Sequence, residues 1–318
     1  MRALMYSKYG GPDDLVVREV PVPEPAAGEV LVKIEAAAIN PIDCRLLRGS
    51  VRLMSGRRFP RHIGADFSGT VAALGEGVRG RAVGDHVFGA IGMLKGDRGS
   101  LAEFARAKAT ECTTKPGSVS FEQAAAASIG GMSALHCIDT LGNVREGQAV
   151  LVIGAAGSVG SCAVQVARAR RLHVTGVCRG VNEEFVRQLG ADDVIAYDRQ
   201  DLFGVERRFD LIVDAAAAYS FGRCRALLAP AGTYVTTMPG LRIAFDGLRA
   251  RLASRQRARS FVGRGSEARR AEVAELMAQG LLKPAVGQVF SLDDAPSAVS
   301  LLMTGHARGK LVVRPGSG

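Results

Sequence analysis

No run of about 18 uncharged apolar residues occurs in the 318-residue chain, so no helix legible in it can span a bilayer. The first eight residues, Met1-Arg2-Ala3-Leu4-Met5-Tyr6-Ser7-Lys8, lack the apolar core and small-residue cleavage site of a secretory leader. A soluble cytoplasmic protein with no membrane partner is therefore expected. Cys44, Cys112, Cys137, Cys162, Cys178 and Cys224 are scattered, with no C-x-x-C pair, which argues against a disulfide framework and for small buried hydrophobes. Lysine is scarce, 7 against 34 arginines, so the net charge of +10 is mostly guanidinium. The densest basic stretch, eight arginines between Arg249 and Arg270, holds a single Phe and no Gly-rich aromatic pattern. A solvated face or contacts between subunits fit it better than a nucleic-acid surface. Internal repeats and low-complexity tracts are absent as well.

What remains is a chain 47% apolar and 23% charged, long enough for two domains with sizeable cores. Residues 1–121 read as β-rich. Leu15–Val20, Glu29–Ile34, Asp66–Val71 and Asp85–Gly89 are strand-like, and seven glycines between Gly64 and Gly89 point to a strongly curved sheet. Ser120, followed by Gln123 and the apolar run Ala124–Ala127, has the form of a helix start. From Ala149 the pattern alternates. Apolar strands at Ala149–Ile153, His173–Cys178, Asp193–Ala196, Asp210–Ala215 and Gly232–Thr236 are separated by helices near 158–170, 182–189 and 220–229. Such alternation predicts a parallel sheet covered on both faces. Ser260-Phe261-Val262-Gly263 would add a late edge strand to it.

The sharpest motif follows the first of these strands: Gly154-Ala155-Ala156-Gly157-Ser158-Val159-Gly160. A G-x-x-G-x-x-G pattern alone says little. Between a strand and a helix, with a second strand about 20 residues on, it marks a dinucleotide pyrophosphate site. Gly154 and Gly157 would allow a tight turn and close approach to phosphate. Gly160 would let helix and strand pack closely, and the first-turn N–H groups would face the anion. At the tip of the second strand stands Arg179, where an acidic residue would otherwise accept from a ribose 2′-OH. A guanidinium suits a 2′-phosphate, with Tyr197 at the next tip adding a hydroxyl, so NADPH is the expected cofactor.

Several segments in series resemble the zinc-independent, quinone oxidoreductase-like (zeta-crystallin-like) branch of the medium-chain dehydrogenase/reductase superfamily. They are Met1-Arg2-Ala3 with Tyr9-Gly10-Gly11-Pro12, Ala37–Asp43, Gly64–Gly69, Val83–Val87, the glycine turn, Leu189–Asp192 and Gly305–Lys310. The resemblance implies an α/β protein in which a GroES-like catalytic domain, residues 1–121 completed by 284–318, accompanies a Rossmann doubly wound parallel-sheet domain, residues 122–283. The cofactor would lie in a cleft between them. Zinc members of the superfamily hold a catalytic metal through a Cys, a His with an adjacent acidic residue, and a third ligand. Here the matching places hold Asn40, Ala65-Asp66 and the ligand-poor Gly130-Gly131-Met132-Ser133, and residues 90–111 contain no Cys for a structural zinc. Catalytic zinc needs about three protein ligands, so no metal is expected.

Without a Lewis acid, an enone or quinone is the softer hydride acceptor. The resemblance thus implies NADPH-dependent 1,4-reduction of a small-molecule enone or quinone by a homodimer. Two alternatives are an NADPH-dependent carbonyl reductase and a nucleotide-dependent RNA-binding or crystallin-like protein. Asn40, Arg45 and Ser133 are the candidate catalytic groups. Asn40 and Ser133 would also touch cofactor, together with Cys178, Ala216, Met238 and Lys310. Asp43 reads as a loop-holding carboxylate. Many quinone reductases carry Tyr two positions after that Asp; Arg45 stands there instead.

Overall fold

A computed structural model describes residues 1–237, 255–260 and 266–316. The chain divides into two units: Met1–Ile129, the helix Glu267–Ala278 and the tail from Pro284 form one, and Gly130 onward with Gln279–Lys283 forms the other.

The first unit is built on strands β1 (Arg2–Tyr6), β2 (Leu15–Glu19), β3 (Glu29–Ala38), β4 (Arg61–His62), β5 (Asp66–Leu74), β6 (His86–Ala90), β7 (Phe104–Lys108) and β8 (Cys112–Thr114). β1 joins β2 and β4 in a small antiparallel sheet. The larger sheet is ordered by β3, which pairs antiparallel with β5, β7 and the final strand Lys310–Arg314. Apolar residues on the inward faces of these strands, including Val32, Ile34, Phe67, Val87 and Val313, share one core. Two short helices, α1 (Pro41–Leu47) and α2 (Arg52–Ser55), leave the end of β3. Pro41 opens α1 where its missing N–H costs nothing, and the Asp43 carboxylate caps the turn by accepting from the Asn40 N–H at 2.7 Å.

α3 (Phe121–Leu135) starts as its sequence predicts. The Gln123 N–H donates to Ser120 Oγ at 3.2 Å, and Gln123 Oε1 accepts from the Ser120 N–H at 3.0 Å. The division between units falls inside it, at Ile129/Gly130.

The second unit carries β9 (Ala149–Ile153), α4 (Ser158–Ala169), β10 (His173–Cys178), α5 (Glu183–Gln188), β11 (Asp193–Ala196), β12 (Phe209–Asp214), β13 (Leu228–Thr236) and β14 (Arg257–Ser260). All six strands are parallel, in the order β11-β10-β9-β12-β13-β14. That order reverses direction beside β9, the switch point at which doubly wound sheets bind ligands beyond their carboxyl ends. The segment near 220–229 is less helical than its sequence suggests. Helix Phe221–Cys224 gives way at Leu228 to β13, whose residues Leu228 and Tyr234 enter the core beside Phe209 and Ile212. The late strand is described over Arg257–Ser260; Phe261–Gly263, which the sequence assigns to it, lie outside the described residues.

The basic stretch is also corrected in part. Arg270 is buried, with its Nη2 donating to the Thr110 carbonyl inside the first unit, so it belongs to no solvated face. No helix among the described residues is long and apolar enough to cross a membrane. All six cysteines are buried free thiols.

Candidate active site

The turn after β9 has the form its glycines imply. Gly154 adopts φ 77°, a left-handed conformation that a side chain would strain, and its N–H and that of Ala155 bond to the Val177 carbonyl at 3.1 and 3.0 Å. A Cβ on Gly160 would fall 2.1 Å from the Gly154 carbonyl oxygen, so only glycine lets α4 lie this close to the strand end. Gly157 has no such neighbour. Its nearest atom is the Gly154 carbonyl at 3.4 Å, and the space beyond is open for a ligand.

The first N–H groups of α4, from Ser158, Val159 and Gly160, have no intrahelical acceptor by helix geometry. Ser158 Oγ is buried without a hydrogen-bond partner among the described residues. An orphaned hydroxyl at the first helical position is costly unless something binds there. Together with the open face of Gly157 it fits a pyrophosphate. α3 runs close by, for a Cβ on Gly130 would lie 2.9 Å from that hydroxyl, and buried Ser133 follows one turn later.

On the other flank, Ala216 packs against Gly154, where a Cβ would stand 2.9 Å from the alanine methyl. Asp214 fixes the loop that carries Ala216. Its buried carboxylate accepts from the N–H groups of Ala218 at 3.0 Å and Tyr219 at 2.9 Å. The Tyr234 hydroxyl lies 3.1 Å from the same carboxylate and 2.6 Å from the Tyr219 carbonyl. Burial pushes the Asp214 carboxyl up, and these donors pull against it. Tyr234→Phe removes a donor from buried acceptors and is expected to cost about 1–3 kcal/mol. A thermal transition unchanged from wild type would show that the hydroxyl does not hold the loop.

Cys178, Arg179 and Tyr197 come together at the strand tips, where the Tyr197 N–H bonds to the Cys178 carbonyl at 3.1 Å. Cys178 is buried, its thiol pushed up to about 11 by desolvation, and serves as backbone and packing rather than as a reactive group. Arg179 is exposed. A carboxylate shares this place. Asp198 Oδ1 accepts from the Gly180 N–H at 2.7 Å, and that bond holds the carboxyl below the usual range, with lesser help from the charges of Arg199 and Arg179. A second guanidinium also stands here that sequence reading missed. Arg199 covers Gly180, on which a Cβ would meet Arg199 Nε at 2.5 Å, and it pairs with Glu183 at 3.1 Å. Both residues directly follow Tyr197, so the available signal was adjacency to a tip already singled out.

Asn40, Arg45 and Lys310 lie in the first unit. Asn40 and Lys310 meet in a fully buried network. The Lys310 ammonium donates to Asn40 Oδ1 and lies 3.0 Å from Asp66 Oδ2, to which Asn40 Nδ2 also donates at 3.0 Å. Asp66 Oδ1 accepts from the Ile129 N–H at 3.1 Å. Complete burial pushes the Asp66 carboxyl up, while the ammonium and the amide donors pull it down. Asp43 accepts from the N–H groups of Asn40 and Gly64, as expected of a loop-holding carboxylate, and burial drives its carboxyl up to about 7. Arg45 is half-buried on α1. Met238 lies outside the described residues.

This donor set does not fit a metal. Ala65 offers no ligand, and the Asn40 amide and Asp66 carboxylate are both turned to an ammonium ion. Among the described residues no group of three or more His, Cys, Asp or Glu side chains is placed to hold a metal ion.

Residues 26–117 match the alcohol dehydrogenase GroES-like domain family, and residues 189–313 match the zinc-binding dehydrogenase family. A chloroplastic quinone oxidoreductase of Triphysaria versicolor is 32% identical over 99% of this chain and 98% of its own length. The chain belongs to the quinone oxidoreductase-like branch of the medium-chain dehydrogenases/reductases. Among solved structures, the quinone oxidoreductase from Coxiella burnetii superposes with a TM-score of 0.90 at 29% identity, covering 99% of both chains. A mycobacterial protein solved in complex with NADPH is 27% identical, with a TM-score of 0.83 over 99% of this chain and 100% of its own. The zinc in the name of the second matched family has no ligand set at the expected positions of this branch member.

Proposed function

We propose that this quinone oxidoreductase-like protein reduces an enone or a quinone with NADPH and without a metal. The observation that carries the reading is the glycine turn, with its unpartnered Ser158 hydroxyl, beside two guanidinium groups at the neighbouring strand tips. Similarity to quinone oxidoreductases, and to a protein solved with NADPH, supports it.

Residues Gly154 to Gly160 would hold the pyrophosphate through the first N–H groups of α4 and Ser158 Oγ. Arg179 and Arg199 would hold the 2′-phosphate, with Tyr197 beside them, and Cys178 and Ala216 would line the adjoining backbone. The bound cofactor supplies a hydride, to the β-carbon of an enone or to a quinone ring. Ser133 contributes a hydroxyl from the α3 turn that passes the pyrophosphate site. Asn40 has one free role. Both of its amide hydrogens and one Oδ1 lone pair are taken by Asp66, Ala38 and Lys310, which leaves the second lone pair for a cofactor or substrate hydroxyl. Lys310 acts through Asn40, fixing its amide, instead of touching phosphate. Arg45 would stabilise negative charge developing on the substrate oxygen. The enone α-carbon, or the quinone oxygens, would take the balancing proton from water.

Turnover of NADPH with a panel of enones, quinones and simple ketones tests this. Enones and quinones should be reduced and ketones left untouched; reduction of ketones alone would make the protein a carbonyl reductase. Dialysis against chelator should leave the activity intact, and metal analysis should find well under one zinc per chain. Stoichiometric zinc whose removal abolishes turnover would contradict the metal-free chemistry.

A further inference from the structure

Between Asp43 and Asp66 the chain carries six arginines and no carboxylate. The fold fixes the base of this stretch and presents its tip. The N–H groups of Met54 and Ser55 donate to the Val51 carbonyl at 2.9 and 3.0 Å, and that of Gly56 to the Arg52 carbonyl at 2.9 Å, closing α2. Val51 packs onto Leu46, Ala65 and Met93. Arg61, itself buried, donates to the carbonyls of Ser55 at 2.9 Å and Leu94 at 2.6 Å, and the Tyr9 hydroxyl donates to the Gly56 carbonyl.

At the tip, Leu53 is 98% exposed and Met54 72%. Arg48, Arg52, Arg57 and Arg58 surround them in sequence, all exposed. None of the four forms an ion pair among the described residues. The loop that bonds to α1 through the Gly10 N–H offers Asp14, but Asp14 is already held by Lys8 at 3.1 Å and the Gly11 N–H at 2.9 Å.

Single exposed apolar residues are ordinary on protein surfaces. A near-fully exposed Leu-Met pair inside an acid-free arginine cluster is a different arrangement. The arginines alone would suit any polyanion, and the apolar pair alone any hydrophobic partner. We propose that this tip docks onto an anionic lipid surface, with Leu53 and Met54 entering the headgroup layer and the four arginines meeting lipid phosphates. An apolar layer beneath anionic headgroups matches both features at once. The contact is peripheral, so it needs no spanning helix, and the expectation of no membrane partner, drawn from the absence of spans, does not reach it. The proposal requires no turnover and stands apart from the reading of the chemistry.

Co-flotation of the full chain with vesicles tests it, using phosphatidylcholine alone or mixed with phosphatidylglycerol, at low and high salt. Binding should require phosphatidylglycerol and weaken with salt, because each arginine near an anionic surface contributes about fivefold in partitioning. The pair Leu53→Ser, Met54→Ser should weaken binding by about tenfold or more, since both side chains then lose an apolar environment. Arg52→Glu with Arg57→Glu should abolish it, and Val83→Ser, at another exposed apolar site, should change nothing. Both groups of substituted positions are exposed, so thermal transitions should match wild type. No binding to anionic vesicles would overturn the proposal. So would binding that survives Leu53→Ser, Met54→Ser, which would mark a basic surface indifferent to what lies under the charge.

Discussion

Lys310→Met is expected to destabilise the protein by about 3–5 kcal/mol, because it strands the buried Asp66 carboxylate without its counter-charge. Asp66 is 0% exposed and Lys310 3%, so neither charge can relax into solvent. The Asn40 amide would remain, yet its Oδ1 would also lose its donor. Asp66→Asn should be similarly harmful, since it leaves the ammonium facing two amides. The double variant should cost well under the sum of the two singles, because an uncharged pair of similar volume carries no desolvated ion. Urea denaturation of the four proteins measures this coupling. Singles that each cost less than about 1 kcal/mol would mean that water reaches the pair.

The second large effect concerns the choice of cofactor. NADPH should be preferred over NADH, and Arg179→Ala should weaken NADPH by about one to two orders of magnitude, the range of a charge-assisted pair worth about 1.5–3 kcal/mol. NADH should be little affected. Arg199→Ala should lower NADPH affinity less, because Glu183, 3.1 Å away, already takes part of its charge. Glu183→Gln releases that guanidinium and should strengthen NADPH binding. Arg179→Asp should reverse the preference, adding repulsion and an acceptor for ribose hydroxyls. Equilibrium titrations with both cofactors decide the matter. Equal use of the two by wild type, or equal harm to both by Arg179→Ala, would make the arginine an ordinary surface residue.

The parts of this fold that sequence made legible are those whose cause is local. β9, β10 and β11 begin and end at the residues predicted for them, because each is a short apolar run between turn-formers. Ser120 and Gln123 sit three residues apart, and their reciprocal bonds could be read before any tertiary structure. The same holds for Gly154 and Gly160, whose roles depend on the turn they belong to. The buried network is the opposite case. Asn40 and Lys310 stand 270 residues apart, and nothing near Lys310 marks it as interior rather than as a phosphate-binding cation. Arg270 misled for a related reason: its neighbours in sequence are basic, while its place is set by packing against residues around Thr110. Asp198 was visible beside Tyr197, but only the fold turns its carboxylate back onto the Gly180 N–H. Residue types at strand tips were readable; which of them face one another was not.

The proposed delivery of hydride to an activated double bond is tested most directly by the position of the label in the product. An enone turned over with NADPH deuterated at the transferring position should give the saturated ketone with deuterium on the β-carbon. Deuterium on a carbinol carbon, with the double bond retained, would show direct carbonyl reduction and contradict the account.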